Sequence, residues 1–339
     1  MFKEKDEENN SGLSMSTSPD GKYLATTSED AAVYVWDLRT GRAVGRLDGH
    51  TDTVWSVAFA PDGSRIVSGS ADATAIIWDV DVFMHFVILQ GHEADVWSVA
   101  YSPDGSKIAT GSTDSTVKLW DANTGTQLHS FGDHAAHVMH VIFSPDGVYL
   151  ASCADTSVIM WDVETGTKVS ELEGHDGAIW CLRFAHGSDR IVTGSEDNTA
   201  RVWDVQSGAE LVTIHEHMSP VWSVAFSPDD SEVVSGSSEC TVVASDSFSG
   251  EQLRVFSDDS ESAVDVVAYS NRGDLLASGT ADGVVKLWDA KIGDFLAEYR
   301  GHGDKVKSVN FMPDDGTLVS SSEDGTVRAW SVRDVLRFF

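Results

Sequence analysis

Asp72, His50 and Ser70 are residue types that could act together as orienter, base and nucleophile in acyl transfer. The same set recurs as Asp114, His92 and Ser112, as Asp197, His175 and Ser195, and as Asp324, His302 and Ser322. Four identical centres point to a role repeated with the fold, not to one active site. A second candidate is His134, His137 and His140 in the run HAAHVMH, where three histidines suggest a metal. Residues three apart on a strand point to opposite faces, so these three do not converge. His215 and His217 face one way but have no further ligands nearby in sequence, and no GxxxxGK[ST] phosphate loop occurs. The expectation is a non-enzymatic protein without metal or cofactor.

The elements that would hold these residues repeat. Trp-Asp closes segments at 36–37, 78–79, 120–121, 161–162, 203–204 and 288–289, Trp330-Ser331 closes another, and Ser245-Asp246 holds the remaining place. Successive marks lie 42, 42, 41, 42, 42, 43 and 42 residues apart. Within one copy, strand signals at Val96–Tyr101, Lys107–Gly111, Thr116–Trp120 and Gln127–Phe131 are separated by turns, the first being Ser102-Pro103-Asp104-Gly105. Proline and glycine at these offsets suit tight hairpins. Four strands in a period of about 40–45 residues are the signature of a propeller blade. The prediction is an all-β propeller of eight blades, each of four antiparallel strands. Seven blades, with one copy set apart, is the alternative.

At this point the chain resembles the WD40-repeat family, over about residues 12 to 331. The resemblance rests on Gly49-His50, Gly91-His92, Gly174-His175 and Gly301-His302, each histidine 28 residues before its closing tryptophan. It rests also on the aspartate six residues before each closing tryptophan: Asp30, Asp72, Asp114, Asp155, Asp197, Asp282 and Asp324. It implies one propeller domain over 12–339, with repeats ending near 37, 79, 121, 162, 204, 246, 289 and 331 and a polar, flexible segment at 1–11. It also implies buried hydrogen-bonded tetrads: His50, Ser70, Asp72 and Trp78; His92, Ser112, Asp114 and Trp120; His175, Ser195, Asp197 and Trp203; and His302, Ser322, Asp324 and Trp330. The pattern lapses in places. Blade six has Ser245 for the tryptophan and Glu239 for the aspartate, blade seven has Ser257–Glu261 where Gly-His belongs, and blade one has Glu8 at the histidine offset. Lost networks in adjacent blades are expected to soften that part of the fold. The closing outer strand is expected from 334–339, with an N-terminal clasp as the alternative.

The repeats also provide an internal control for one residue. The motif VWSVA occurs at 54–58, 96–100 and 221–225, and the column through its tryptophan runs Leu13, Trp55, Trp97, Met139, Trp180, Trp222, Asp265, Lys307. Flanking columns are nearly uniform, such as Thr17, Phe59, Tyr101, Phe143, Phe184, Phe226, Tyr269 and Phe311. A position that accepts both Asp265 and Lys307 is not one where the fold needs tryptophan, and it is expected to be at least partly wet. Of the 11 tryptophans, seven close repeats and the other four all lie in this column. By the family resemblance this column lies on the top face. Trp55, Trp97, Met139, Trp180 and Trp222 form an apolar arc there, completed by Asp265 and Lys307, among Glu93, Asp95, Asp176 and Glu196. Aromatic anchors in an acidic rim suit a peptide or domain with apolar and basic residues.

Composition narrows the partner class further. The 54 acidic against 23 basic residues give a net charge of −31, which repels nucleic acid and anionic membranes. Three scattered cysteines, Cys153, Cys181 and Cys240, fit a reducing compartment, and the charged start MFKEKDEENNSG is no signal peptide. The chain is therefore expected to be intracellular, cytoplasmic or nuclear, and a subunit of a larger protein complex.

Overall fold

A computed structural model describes residues 14–257 and 261–333. Seven antiparallel sheets have four strands each, and the eighth has three described strands, so the repeat count gives eight blades and not seven. In blade two, Val54–Phe59 pairs with Arg65–Ser70, that strand with Thr74–Asp79, and that with Met84–Gln90. The other blades repeat this meander. The turns follow from local chemistry: Gly105 has φ of 71°, a conformation that favours glycine. Beside it the Ser102 hydroxyl donates to Asp104 Oδ1 at 2.6 Å, which sets the Ser-Pro-Asp-Gly turn.

The second strand of each blade is buried on both faces by its neighbours, which is why Ile66–Ser70 is solvent-shielded throughout. Spacing between blades depends on glycine here. A Cβ on Gly69 would meet Val96 Cγ1 and Val99 Cγ1 of blade three, each at 2.8 Å. The serine of VWSVA stitches adjacent blades. Ser56 Oγ accepts the Val99 N–H at 3.2 Å, Ser98 Oγ that of Val141 at 3.1 Å, and Ser223 Oγ that of Val267 at 3.1 Å. The motif thus spends its serine and valines on packing and leaves its tryptophan over.

The chain divides into two compact units, 1–171 and 172–339, carrying the first four and the last four blades. Among the described residues no helix is long and apolar enough to cross a membrane. The expected closing strand at 334–339, the N-terminal segment 1–11 with Glu8, the column residue Leu13, and residues 258–260 of blade seven lie outside the described residues.

Candidate functional site

Within each regular blade the histidine before the first strand is buried between its own second and third strands. His50 Nδ1 lies 2.9 Å from Asp72 Oδ2, and its Nε2 lies 2.8 Å from Ser68 Oγ, which also accepts the Trp78 indole N–H at 2.7 Å. A carboxylate can only accept, so the histidine proton sits on Nδ1 and Ser68 donates to Nε2. The closing hydroxyl is therefore Ser68 and not Ser70. The same correction holds elsewhere: Thr110 in place of Ser112, Thr193 in place of Ser195, and Ser320 in place of Ser322. Ser70 stands at the strand end, where its hydroxyl reaches the Asp52 carbonyl at 2.9 Å and accepts the Asp72 N–H at 3.1 Å. Ser112, Ser195 and Ser322 do the same for Ala94, Gly177 and Asp304. A signal was present in the sequence: the column Thr26, Ser68, Thr110, Ser152, Thr193, Ser235, Ser278, Ser320 is hydroxyl-bearing throughout, whereas the Ser70 column is broken by Ala154.

These groups are tuned for burial. Burial opposes ionisation of Asp197, yet the Thr199 hydroxyl and His175 overcome it and hold the carboxyl at about 2. Asp72 and Asp114 are likewise held well below the usual range. Burial lowers the pKa of His92, His175 and His302 against the pull of their aspartates. The last network is looser, with His302 Nδ1 2.9 Å from Thr326 Oγ1 and 3.5 Å from Asp324. Each of these imidazoles ties the second strand of its blade to the turn before the third.

Two blades depart from expectation. Blade six keeps its network: His217 lies 2.8 Å from Glu239 and 2.7 Å from Ser235, the longer glutamate reaching as aspartate does elsewhere. Only the indole is gone, and Ser245 in its place is fully buried with its hydroxyl unsatisfied among the described residues. Blade four is the weaker one. A deletion shortens its turn, so Asp155 is exposed at φ of 52° and is not the carboxylate on His134. His134 contacts Ser152 at 2.6 Å, and burial pushes its pKa down to about 4. Of the other two histidines of that run, His137 is exposed and His140 half-buried.

The spare tryptophans form two pairs, one in each unit. In the first unit Trp55 and Trp97 stack with ring centroids 4.4 Å apart and planes 24° from parallel. In the second, Trp180 and Trp222 meet at 5.1 Å and 52°, with Trp180 39% exposed. Met139 holds the column in blade four, half-buried.

Comparison with known proteins adds the family. The pattern described as WD domain, G-beta repeat matches residues 8–37, 41–79, 85–121, 125–162, 166–204, 208–243, 250–289 and 293–331. The chain belongs to the WD40-repeat family. Its fold class is the eight-bladed WD40 β-propeller. The crystal structure of a computationally designed protein, Ika8, superposes with a TM-score of 0.85 at 30% identity, covering 96% of this chain and 98% of that one. WD repeat-containing protein 91 of Pongo abelii is 34% identical over 82 residues, 24% of this chain and 12% of its own length. Periodic tryptophan protein 2 of Arabidopsis thaliana is 40% identical over 70 residues, 21% of this chain and 8% of its own. The match therefore spans about a tenth of these curated relatives. The WD40 fold is consistent with a protein-interaction scaffold.

Around the WD40 tryptophans the charges differ by unit. Glu93 is exposed and Asp95 half-buried in the loop entering blade three, and among the described residues neither side chain makes an ion pair. Asp176 and Glu196, in the second unit, are exposed. Asp265 is not wet, as its column suggested. Its side chain is 5% exposed and is held by Lys305, whose Nζ lies 2.7 Å from Oδ1. That ammonium also lies 5.5 Å from the Trp222 ring centroid. Lys307 is exposed and pairs with Glu323 at 3.0 Å. Column reasoning did not single out Lys305, because its partners come from two other blades.

Proposed function

We propose that this WD40 protein is a non-enzymatic scaffold that docks an extended peptide or a domain through its spare tryptophans, within a multiprotein complex. The observation that carries the reading is the stacked Trp55–Trp97 pair, with Glu93 and Asp95 four and two residues before Trp97 in the chain and in no ion pair among the described residues. Flat aromatic surface beside free carboxylate favours an apolar segment bearing lysine or arginine. A displayed peptide library tests this. Selected sequences should combine apolar and basic residues, bind less tightly as salt rises, and be lost on Trp55→Ala/Trp97→Ala in a protein that still melts as wild type does. Selection of acidic or purely polar peptides refutes the reading, as does binding indifferent to both substitutions.

One observation favours contact through a blade edge as a second reading. On the outer strand of blade two and the turn before it, Val82, Met84, Phe86 and Ile88 are 62%, 61%, 42% and 43% exposed. Blade three carries Thr124, Thr126 and Ser130 at the places of Val82, Met84 and Ile88, while the place of Phe86 is apolar there too, as Leu128. An apolar strand of a neighbouring subunit would suit that edge. Partner capture lost on Met84→Lys/Ile88→Lys, and kept on Trp55→Ala/Trp97→Ala, supports this second reading against the first.

A further inference from the structure

Lys305, Asp265 and Trp222 come from blades eight, seven and six of the second unit and meet at one point. The Lys305 ammonium lies 2.7 Å from Asp265 Oδ1 and 5.5 Å from the Trp222 ring centroid. The indole is held at its edge, its N–H donating to Ser238 Oγ. Asp265 is the unusual member. With 5% of its side chain exposed, its second oxygen, Oδ2, is buried and has no hydrogen-bond partner among the described residues. Lys307, the other nearby cation, is taken by Glu323 at 3.0 Å. A buried carboxylate with one oxygen served and one orphaned is an incomplete site.

The missing chemistry is a second, parallel donor. An ammonium is a point charge that here serves one oxygen. A guanidinium is planar, can donate to both oxygens of a carboxylate side by side, and lies flat on an indole face. Lys305 is 32% exposed on a flexible four-carbon stem, so it can withdraw toward solvent. We propose that Trp222 and Asp265 form a guanidinium subsite for an arginine of the docked peptide, which Lys305 fills in the free protein and vacates as the arginine enters. This inference rests on the tryptophan-face reading above and names one residue of its ligand.

The test uses the full chain and Nα-acetyl-arginine amide as probe, with Nα-acetyl-lysine amide as comparator. Binding is followed by the Trp222 indole N–H resonance, assigned with Trp222→Phe. Lys305→Met should bind the arginine probe at least five-fold tighter than wild type and at least five-fold tighter than it binds the lysine probe. Adding Asp265→Asn should abolish both gains. Lys305→Arg serves as the second variant, useful if Lys305→Met folds poorly. It should melt higher than wild type, because its own guanidinium completes the carboxylate, and it should not respond to the probe. Equal arginine binding by wild type and Lys305→Met overturns the proposal, as does equal binding of the two probes or no gain in melting temperature with Lys305→Arg. The two readings fail separately. If library peptides ignore Trp55→Ala/Trp97→Ala while the probe behaves as described, the docking reading falls and the subsite stands. The converse result removes the subsite alone.

Discussion

The two tryptophan pairs occupy the same repeat column and meet different fates. In the first unit Trp55 and Trp97 stack nearly parallel at 4.4 Å, with Glu93 and Asp95 free of ion pairs among the described residues. In the second unit Trp180 and Trp222 are tilted by 52°, and Lys305 and Asp265 stand at the Trp222 ring. The buried histidines show a parallel contrast. His175 in blade five has Asp197 at 2.7 Å, while His134 in blade four has lost its carboxylate to a shortened turn. In both cases a repeat supplies the residue, and what its neighbours supply decides whether it is satisfied or available.

The largest expected effect separates the two pairs. Trp55→Ala/Trp97→Ala should weaken binding of a selected peptide by about 100-fold, in line with roughly 2–4 kcal/mol for buried aromatic anchors. Trp222→Ala alone should cost less, about ten-fold, since only an arginine that displaces Lys305 gains its face. Titration calorimetry decides between them, and equal losses would erase the distinction.

The histidine contrast is next in size. The His134 pKa is depressed to about 4, so the unfolded chain takes up that proton first as pH falls. Stability present above about pH 6.5 should therefore drop as pH falls toward 4, by on the order of 3 kcal/mol from this residue. His134→Gln should flatten that part of the melting-temperature profile while His175→Gln flattens it less. A His134 imidazole titrating near 6.5 by NMR would remove the basis for this. The aspartates act in a lower window. Asp197, held at about 2, gives stability that is lost only as pH falls below the ordinary carboxylate range toward that value.

A smaller effect checks which hydroxyl closes a blade. Ser68→Ala strands both the His50 ring and the Trp78 indole and should cost about 2–3 kcal/mol in denaturant melts, against about 1 for Ser70→Ala. A reversed order would restore Ser70 to the network. The smallest effect carries the opposite sign. Ser245→Ala removes a buried hydroxyl with no partner and should gain up to about 1 kcal/mol. A marked loss would mean that the hydroxyl is satisfied.

Much of this molecule is written in its sequence. Spacing alone yields eight repeats, their strand order and their turns, because hairpin geometry is local and each copy repeats it. The uneven tryptophan column also marks residues that packing does not require. The sequence is less informative about partners. Ser68 and Ser70 are two apart on one strand and share a face, so periodicity cannot say which one reaches the histidine. The aspartate offset likewise put Asp155 in register with the tetrad aspartates, although the missing residue in its turn sends it to solvent.

By itself the sequence determined the fold class, the number of repeats and the surplus tryptophans, all properties of a single repeat read in register. Only the tertiary structure decided that Glu239 reaches His217, that Asp265 is buried, and that Lys305 lies against Asp265 and Trp222. Glu239 needed its actual side-chain reach. The Lys305 contacts join residues 40 and 83 positions apart in the chain, in three different blades, where stacking distance and not repeat register sets the pairing.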